Sequence, residues 1–318
     1  MTFLFGSSQS PPVSVAAERW DFLMGTVVQQ HVYGIAGERC TELAAGAIAD
    51  LEQLWSVFRP DSEVSRLTRG AGGEPLAVAP ETLAILGEAR RLHQVTHGAL
   101  DVTTRPITQL WKRAADCGHL PTVAEIAVAR QLVDASDIEL HAERARLRRA
   151  GQQLDLGAIG KGFAADRCVA LYRREGIRFA FVDLGGNVAL LGGKPDGSPW
   201  RVGIQAPSGK RGEYIGVVEA RDCAIVTSGH YERGYQVGES SYSHIIDPRT
   251  GMPVDNGVLS VTVMHPSSLL ADAYATACVV LGVERAVELA RAQALDVLII
   301  HTGGRVLTPG MARVFQPL

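Results

Sequence analysis

The chain has 318 residues, 46% hydrophobic and 20% charged, with a formal net charge of −3. That composition supports a large buried core in two lobes and gives neither a basic face for nucleic acid nor an acidic tail. The five cysteines (Cys40, Cys117, Cys168, Cys223, Cys278) form no C-x-x-C pair, so neither a disulfide framework nor a zinc site is indicated, and no apolar run approaches the ~20 residues of a membrane span.

The N-terminus, MTFLFGSSQSPPVSVAAERW, has no basic leader and no cysteine to carry a lipid. As given, the sequence reads as cytoplasmic, with a poorly ordered segment over 1–20 and one two-lobed domain over 21–318. A periplasmic or membrane-associated location applies if an export signal has been trimmed. A strand is expected over 26–33, entered through Met24-Gly25, and then a helix from about 38 to 55 on Leu43, Ala47, Leu51 and Leu54. In FRPDSEVSRL, 58–67, Pro60-Asp61-Ser62 makes a turn, and Ser62 with Ser65 suits the cap of a short helix. Phe58, beside that turn, suits either core or a stacking platform for a flat ring.

A helix over 80–95 leads to HGALDVTTRPITQLW, 97–111, where Asp101, Thr103 and the Arg105-Pro106 turn gather small polar groups before a helix ending near Trp111. Residues 112–122 read as a loop, 123–134 as an amphipathic helix and 138–148 as a hairpin. QLDLGAIGKGFAADRCVALYRREG, 153–176, reads as a strand passing through Gly157, Gly160 and Gly162 into a helix. Such an entry is an anion site, with unpaired first-turn N–H groups, a positive dipole end and the Lys161 ammonium beside them. The same glycines equally suit close helix–strand packing.

Strand-rich sequence follows over 178–191, broken at Gly185-Gly186-Asn187, then WRVGIQAP, YIGVVEA and CAIVTSG. Three sheet edges end in small polar residues, as in a cleft for an extended polar ligand, although hairpin turns end likewise. YSHIIDPRTGMPV, 242–254, sets His244, Asp247 and Arg249 within a run of turn formers, with Ile245 and Ile246 finishing a strand. Its bland alternative is a turn satisfied by its own Asp and Arg. In 259–282 a strand passes through His265-Pro266 into a helix capped by Ser267 or Ser268, where Asp272 and Thr276 stand four apart on one face. A carboxylate with a hydroxyl suits Mg²⁺ better than Zn²⁺; the alternative is an Asp favouring the helix dipole and a Thr bonded to its own helix. A helix over 283–294 and a hairpin over 295–308 close the chain.

DLGAIGKGFAAD, the Gly-Gly-Asn turn, WRVGIQAP, TSGHYER, YSHIIDPRTGMP and ADAYATA, in this order, resemble the ApbE family of FAD:protein FMN transferases. The resemblance extends upstream to FRPDSEVSRL and ALDVTTRPITQLW. It implies an α+β fold of two interlocked lobes, mixed or antiparallel sheets and packed helices, with FAD as substrate in the cleft between the lobes. It places Mg²⁺ on the Ala158 carbonyl, Asp272 and Thr276. It puts Met24, Phe58, Asp101, Thr103, Asp155, Lys161, Gly162, Thr227, Ser228, Gly229, His244 and Ile246 against the flavin substrate. The implied reaction moves FMN to a Ser or Thr hydroxyl of an acceptor flavoprotein bearing a D-G-x-[ST]-G-A-[ST]-like motif, releasing AMP. The mechanism read for it has Lys161 draw charge from the pyrophosphate and His244, with Asp247 to orient its ring, as the candidate general base; the alternative is a His244 that only hydrogen-bonds the ligand. Water in place of the acceptor would make the site an FAD pyrophosphatase, and loss of the metal ligands a flavin-binding or delivery protein. Two positions depart from the family pattern: Phe58 where Tyr is frequent, and His230 where an acidic residue is.

Overall fold

The computed structural model of the chain describes residues 16–207, 209–210, 212–230 and 234–318. It opens with β1 (Ala16–Leu23) and β2 (Thr26–Tyr33), then α1 (Gly37–Trp55), α2 (Glu63–Arg69), β3 (Leu76–Ala77) and α3 (Pro80–Val95). Next come α4 (Arg105–Cys117), α5 (Val123–Arg130), β4 (Ile138–His141), β5 (Arg144–Leu147) and α6 (Gly160–Arg174). Five strands follow: β6 (Phe179–Leu184), β7 (Asn187–Leu191), β8 (Trp200–Gln205), β9 (Tyr214–Ala220) and β10 (Ala224–Gly229). Two short hairpins, β11 (Gly234–Val237) with β12 (Ser240–Ser243) and β13 (Ile246–Asp247) with β14 (Met252–Pro253), precede β15 (Val258–His265). The chain ends with α7 (Ser268–Leu281), α8 (Val283–Ala292), β16 (Asp296–His301), β17 (Gly304–Leu307), α9 (Pro309–Val314) and β18 (Phe315–Pro317).

The centre is an antiparallel sheet of eight strands in the order β1-β2-β6-β7-β10-β15-β16-β17. Successive side chains of a strand point to opposite faces, and here both faces are apolar. Val28, Val182, Val226, Val261 and Val297 face a core shared with α1, α6 and α7. Phe181, Ile225, Met264 and Leu298 face a second core closed by the β18-β9-β8 sheet and α9. A third cluster joins Ile107, Leu110 and Trp111 of α4 and Ala129 of α5 to Ile246, Tyr235 and Tyr242 of the small hairpins. Trp111 Nε1 donates to the Gly251 carbonyl at 2.9 Å. Gly251 has a φ of 74°, and a Cβ there would lie 2.7 Å from Ile126, so only glycine lets this turn seat on α5.

This is the expected α+β class, and several expected elements coincide with those observed. Ser62 caps α2 by accepting from the Ser65 N–H at 3.0 Å, and Ser267 caps α7. Others are corrected. β1 begins at Ala16, inside the segment expected to be poorly ordered, and residues 1–15 lie outside the described residues. The buried face of α1 is Cys40, Ala44, Ile48, Leu51 and Trp55, while Leu43 is 40% exposed. Small Ala and Cys side chains define the buried stripe, and the Leu pattern alone set the phase wrongly. α4 continues to Cys117, where Gly118 ends it in the left-handed region at φ 73°, so the expected loop is shorter. α5 stops at Arg130, four residues before the expected end. Residues 153–159 form no strand: 154–156 are irregular and 157–159 a turn, Gly160 N–H reaches back to the Leu156 carbonyl, and among the described residues the one ladder contact is a bridge from Gln153 to Thr104. The strand expected to end at Ile246 is divided, with β12 ending at Ser243 and Ile246–Asp247 pairing Met252–Pro253.

Candidate active site

The starts of α6 and α7 meet at a residue with no side chain. A Cβ on Gly162 would stand 2.5 Å from the Ser268 carbonyl oxygen and 2.6 Å from Leu269 Cα, so the two helices approach only because it is glycine. The approach lets Asp272 Oδ2 accept from the Gly162 N–H at 2.9 Å, with Lys161 Nζ 3.7 Å away. Lys161 Nζ also donates to the Gly157 carbonyl at 3.1 Å. Asp272 is 3% exposed; burial pushes its carboxyl above the usual range, opposed by the Lys161 ammonium and the Gly162 N–H. One turn on, Thr276 Oγ1 lies 3.2 Å from Ser228 Oγ on β10. Met24, at the tip of the β1–β2 hairpin, closes the other side, its Cε 3.5 Å from where a Gly160 Cβ would be.

A second carboxylate fixes the helix from below. Asp166 accepts from Ser267 Oγ and the Ser268 N–H, each at 2.7 Å, and from the Leu269 N–H at 3.1 Å, so it occupies the positive end of α7. Ser268 Oγ in turn donates to Asn187 Oδ1, and that amide is 1% exposed. Asp166, Asn187 and Ser268 were not among the residues expected in the site. Their signal was present in the helix-capping serines, but it names no partner.

The residues expected to hold a cation offer oxygen throughout: the Asp272 carboxylate, the Thr276 hydroxyl and the Ala158 carbonyl just before α6. Such a set fits a hard divalent cation, and a carboxylate so buried gains from one.

A model of the ApbE family matches residues 24–299. The chain belongs to the ApbE family. A protein of Vibrio cholerae named FAD:protein FMN transferase is 35% identical over 255 residues, covering 80% of this chain and 76% of its own length. The Salmonella typhimurium protein of that name is 31% identical over 332 residues, covering 98% and 93%. Among solved structures, the flavin transferase ApbE from Vibrio cholerae is similar at a TM-score of 0.82 and 29% identity, over 94% of this chain and 99% of that one. The ApbE protein of Thermotoga maritima is similar at a TM-score of 0.86 and 27% identity, over 94% and 99%.

Within this ApbE-family chain the other expected site residues fall into separate places. Phe58 is 85% exposed, so its ring is open to a ligand. Asp155 Oδ1 accepts from the Gly157 N–H at 2.9 Å, while its own N–H donates to the Val102 carbonyl at 2.8 Å. Asp101 and Thr103 stand behind that contact. Asp101 Oδ1 accepts from the Thr103 N–H at 2.7 Å and from Thr103 Oγ1, and Oδ2 accepts from the Ala135 N–H at 2.9 Å. With Thr103 at 0% exposure and Asp101 at 7%, the pair is buried and bonded inward, to each other and to the backbone at 134–135. Strand alternation turns Thr227 away from Ser228 to the opposite sheet face, where it bonds Thr262 at 2.9 Å. Gly229 and Ile246 are buried, Ile246 within the α4–α5 cluster.

In the His244 stretch, Asp247 takes Arg249 as a fork, with Nε to Oδ1 at 2.9 Å and Nη2 to Oδ2 at 2.8 Å. It therefore builds the turn, as the bland alternative expects. His244 is half-buried just past Ser243, whose Oγ lies 2.6 Å from His230 Nδ1. Burial lowers the His230 pKa. Tyr231, Glu232 and Arg233 of the TSGHYER motif lie outside the described residues.

His93, Asp101 and Asp134 are the one His/Cys/Asp/Glu group among the described residues at metal-like spacing, within 4.8 Å. The imidazole nitrogens face different carboxylates, Nδ1 at 2.9 Å from Asp101 and Nε2 at 3.5 Å from Asp134, which is the arrangement of an imidazolium between two anions. The bond to Asp101 raises the His93 pKa above its ordinary value despite partial burial.

Two outcomes are expected. Gly162→Ala should separate α6 from α7 and cost about 1–3 kcal/mol in a urea titration, because backbone is what a Cβ would strike. Because His93 has a raised folded pKa, its stabilisation is complete below the unfolded value of about 6.5 and is lost as pH rises from there through the higher folded value. The melting temperature of His93→Gln should therefore fall less between pH 6 and pH 9 than that of the unmodified chain.

Proposed function

We propose that the chain transfers the FMN moiety of FAD to a Thr or Ser hydroxyl of an acceptor flavoprotein, with Mg²⁺ bound, and releases AMP. The observation that carries this reading is the Lys161–Asp272–Gly162 contact. It sets a buried carboxylate and an ammonium at the positive end of a helix, groups suited to holding a hard cation beside a pyrophosphate. The family membership supports it, since relatives over most of their length are named for this transfer.

Ala158, Asp272 and Thr276 would hold the cation, which when bound supplies neutralising charge at the pyrophosphate. Lys161, anchored on the Gly157 carbonyl, presents its ammonium to the same phosphates. The exposed ring of Phe58 is a face for the flat part of the substrate. In the transfer the acceptor oxygen forms a bond to the FMN phosphorus, the bond from that phosphorus to the AMP oxygen breaks, and AMP leaves with the electron pair. An imidazole nitrogen of His244 takes the proton of the acceptor hydroxyl. The acceptor is a protein segment carrying a D-G-x-[ST]-G-A-[ST]-like motif.

The test is incubation with FAD, Mg²⁺ and a protein bearing that motif, followed by intact mass of the acceptor and assay of AMP. A mass gain of one FMN less water, matched by AMP, is expected. AMP with free FMN and no gain would instead identify a pyrophosphatase, and bound FAD without AMP a binding protein. In the same assay Asp272→Ala should lose at least about a hundredfold in Mg²⁺-dependent turnover while retaining FAD binding, and unchanged turnover at limiting Mg²⁺ would overturn the metal assignment. For His244→Ala the loss should fall on the transfer rate, by roughly 10²–10⁴-fold, with FAD affinity preserved.

A further inference from the structure

Arg105 is the first residue of α4, and its side chain is 20% exposed. Its Nη2 donates to the Val57 carbonyl at 3.4 Å, the oxygen of the peptide that leads into Phe58, and Nη1 stands 4.0 Å from Asp155 Oδ2. Both separations are long for a guanidinium. In the same molecule Arg249 closes on Asp247 to 2.8 and 2.9 Å, the spacing of a completed fork. Arg105 and Asp155 therefore stand side by side as a donor and an acceptor, without closing on each other. Asp155 Oδ1 is engaged by the Gly157 N–H, which leaves Oδ2 as the oxygen facing Arg105.

That pairing selects among ligand groups. A phosphate would be drawn by Arg105 but repelled by the carboxylate next to it, and Lys161 with the α6 terminus already provides for anions. A neutral ring edge that alternates C=O with N–H satisfies both: the carbonyl accepts from Arg105 and the N–H donates to Asp155. The exposed ring of Phe58, attached through the Val57 carbonyl that Arg105 itself holds, offers the face on which such a ring lies.

We infer that Arg105, together with Asp155, reads the imide edge of the flavin's pyrimidine ring while Phe58 carries its face, so that Arg105 is a specificity-determining residue for the ring and not for the phosphates. The inference rests on the reading that FAD binds in this cleft, and it assigns the ring end of that cleft to the α4 terminus.

The experiment compares binding of FAD, lumiflavin (the ring alone) and ADP to the full chain and to Arg105→Gln and Arg105→Lys, by fluorescence or calorimetry. Gln retains an N–H for the Val57 carbonyl, so its fold is expected to survive, as checked by the melting temperature. Arg105→Gln should weaken FAD and lumiflavin by the same factor, about ten- to a hundredfold, and leave ADP unchanged. Arg105→Lys should recover only part of the loss, because an ammonium lacks the planar fork. Weakening of FAD and ADP with lumiflavin unaffected would assign Arg105 to the phosphates and overturn the inference, as would unchanged affinity for all three. If the unmodified chain binds neither FAD nor lumiflavin, the FAD reading itself fails, an outcome distinct from a loss confined to the variants.

Discussion

A buried carboxylate held against a helix start is the constraint on which the rest of the structure depends. Asp272 is ionisable and 3% exposed, and a lone charge there would be costly. Its partners are local to α6: the Gly162 N–H, unpaired because it belongs to the first helical turn, and the Lys161 ammonium. Both are available only if the helix axes come close enough, and that depends on an absent Cβ at Gly162. Gly162 thus serves close packing, of helix on helix where helix–strand packing was expected, and its N–H holds the buried carboxylate.

The central sheet decides which of the remaining groups can join that pair. α7 lies across β10 and β15 on one face, so alternation delivers Ser228 to Thr276 and sends its neighbour Thr227 to Thr262. The opposite face is closed by the small sheet of β8, β9 and β18. With apolar layers on both sides the sheet cannot slip register by one residue without exposing a core, and the polar end of β10 is held where it is. Asp166 at the α7 terminus and Asn187 at the β7 terminus then orient the helix from two sides.

Much of this was legible from neighbouring residues. The Ser62 and Ser267 caps, the proline start of α3 and the α6 and α7 helices follow from side chains within a turn of the backbone they serve. The family resemblance carried the same stretches to a flavin cleft and named Asp272 and Thr276 together. What misled was also local. Leu spacing set the wrong face of α1, because small Ala and Cys side chains form its buried stripe. Asp247 holds the guanidinium two residues away on both of its oxygens, the turn contact that the sequence also offered. Asp101 and Thr103 were rightly singled out as a polar group, yet they bond each other and the backbone at 134–135, which is invisible without the tertiary contact.

The amino-acid sequence by itself determined the inventory of helices and most strands, the turns at Gly and Pro, the family, and which residue types could bear charge or hold a cation. Each rests on interactions spanning a few positions, where propensity and capping act. Only the tertiary structure decided which of those residues meet. Gly162 and Asp272 are 110 positions apart, and no periodicity encodes that a missing methyl group on one helix admits the carboxylate of another. Whether Arg105 faces Asp155 or solvent, and whether Thr227 or Ser228 reaches α7, were likewise settled by packing. The side on which a side chain emerges is fixed once a face is buried, and burial is a property of the whole fold.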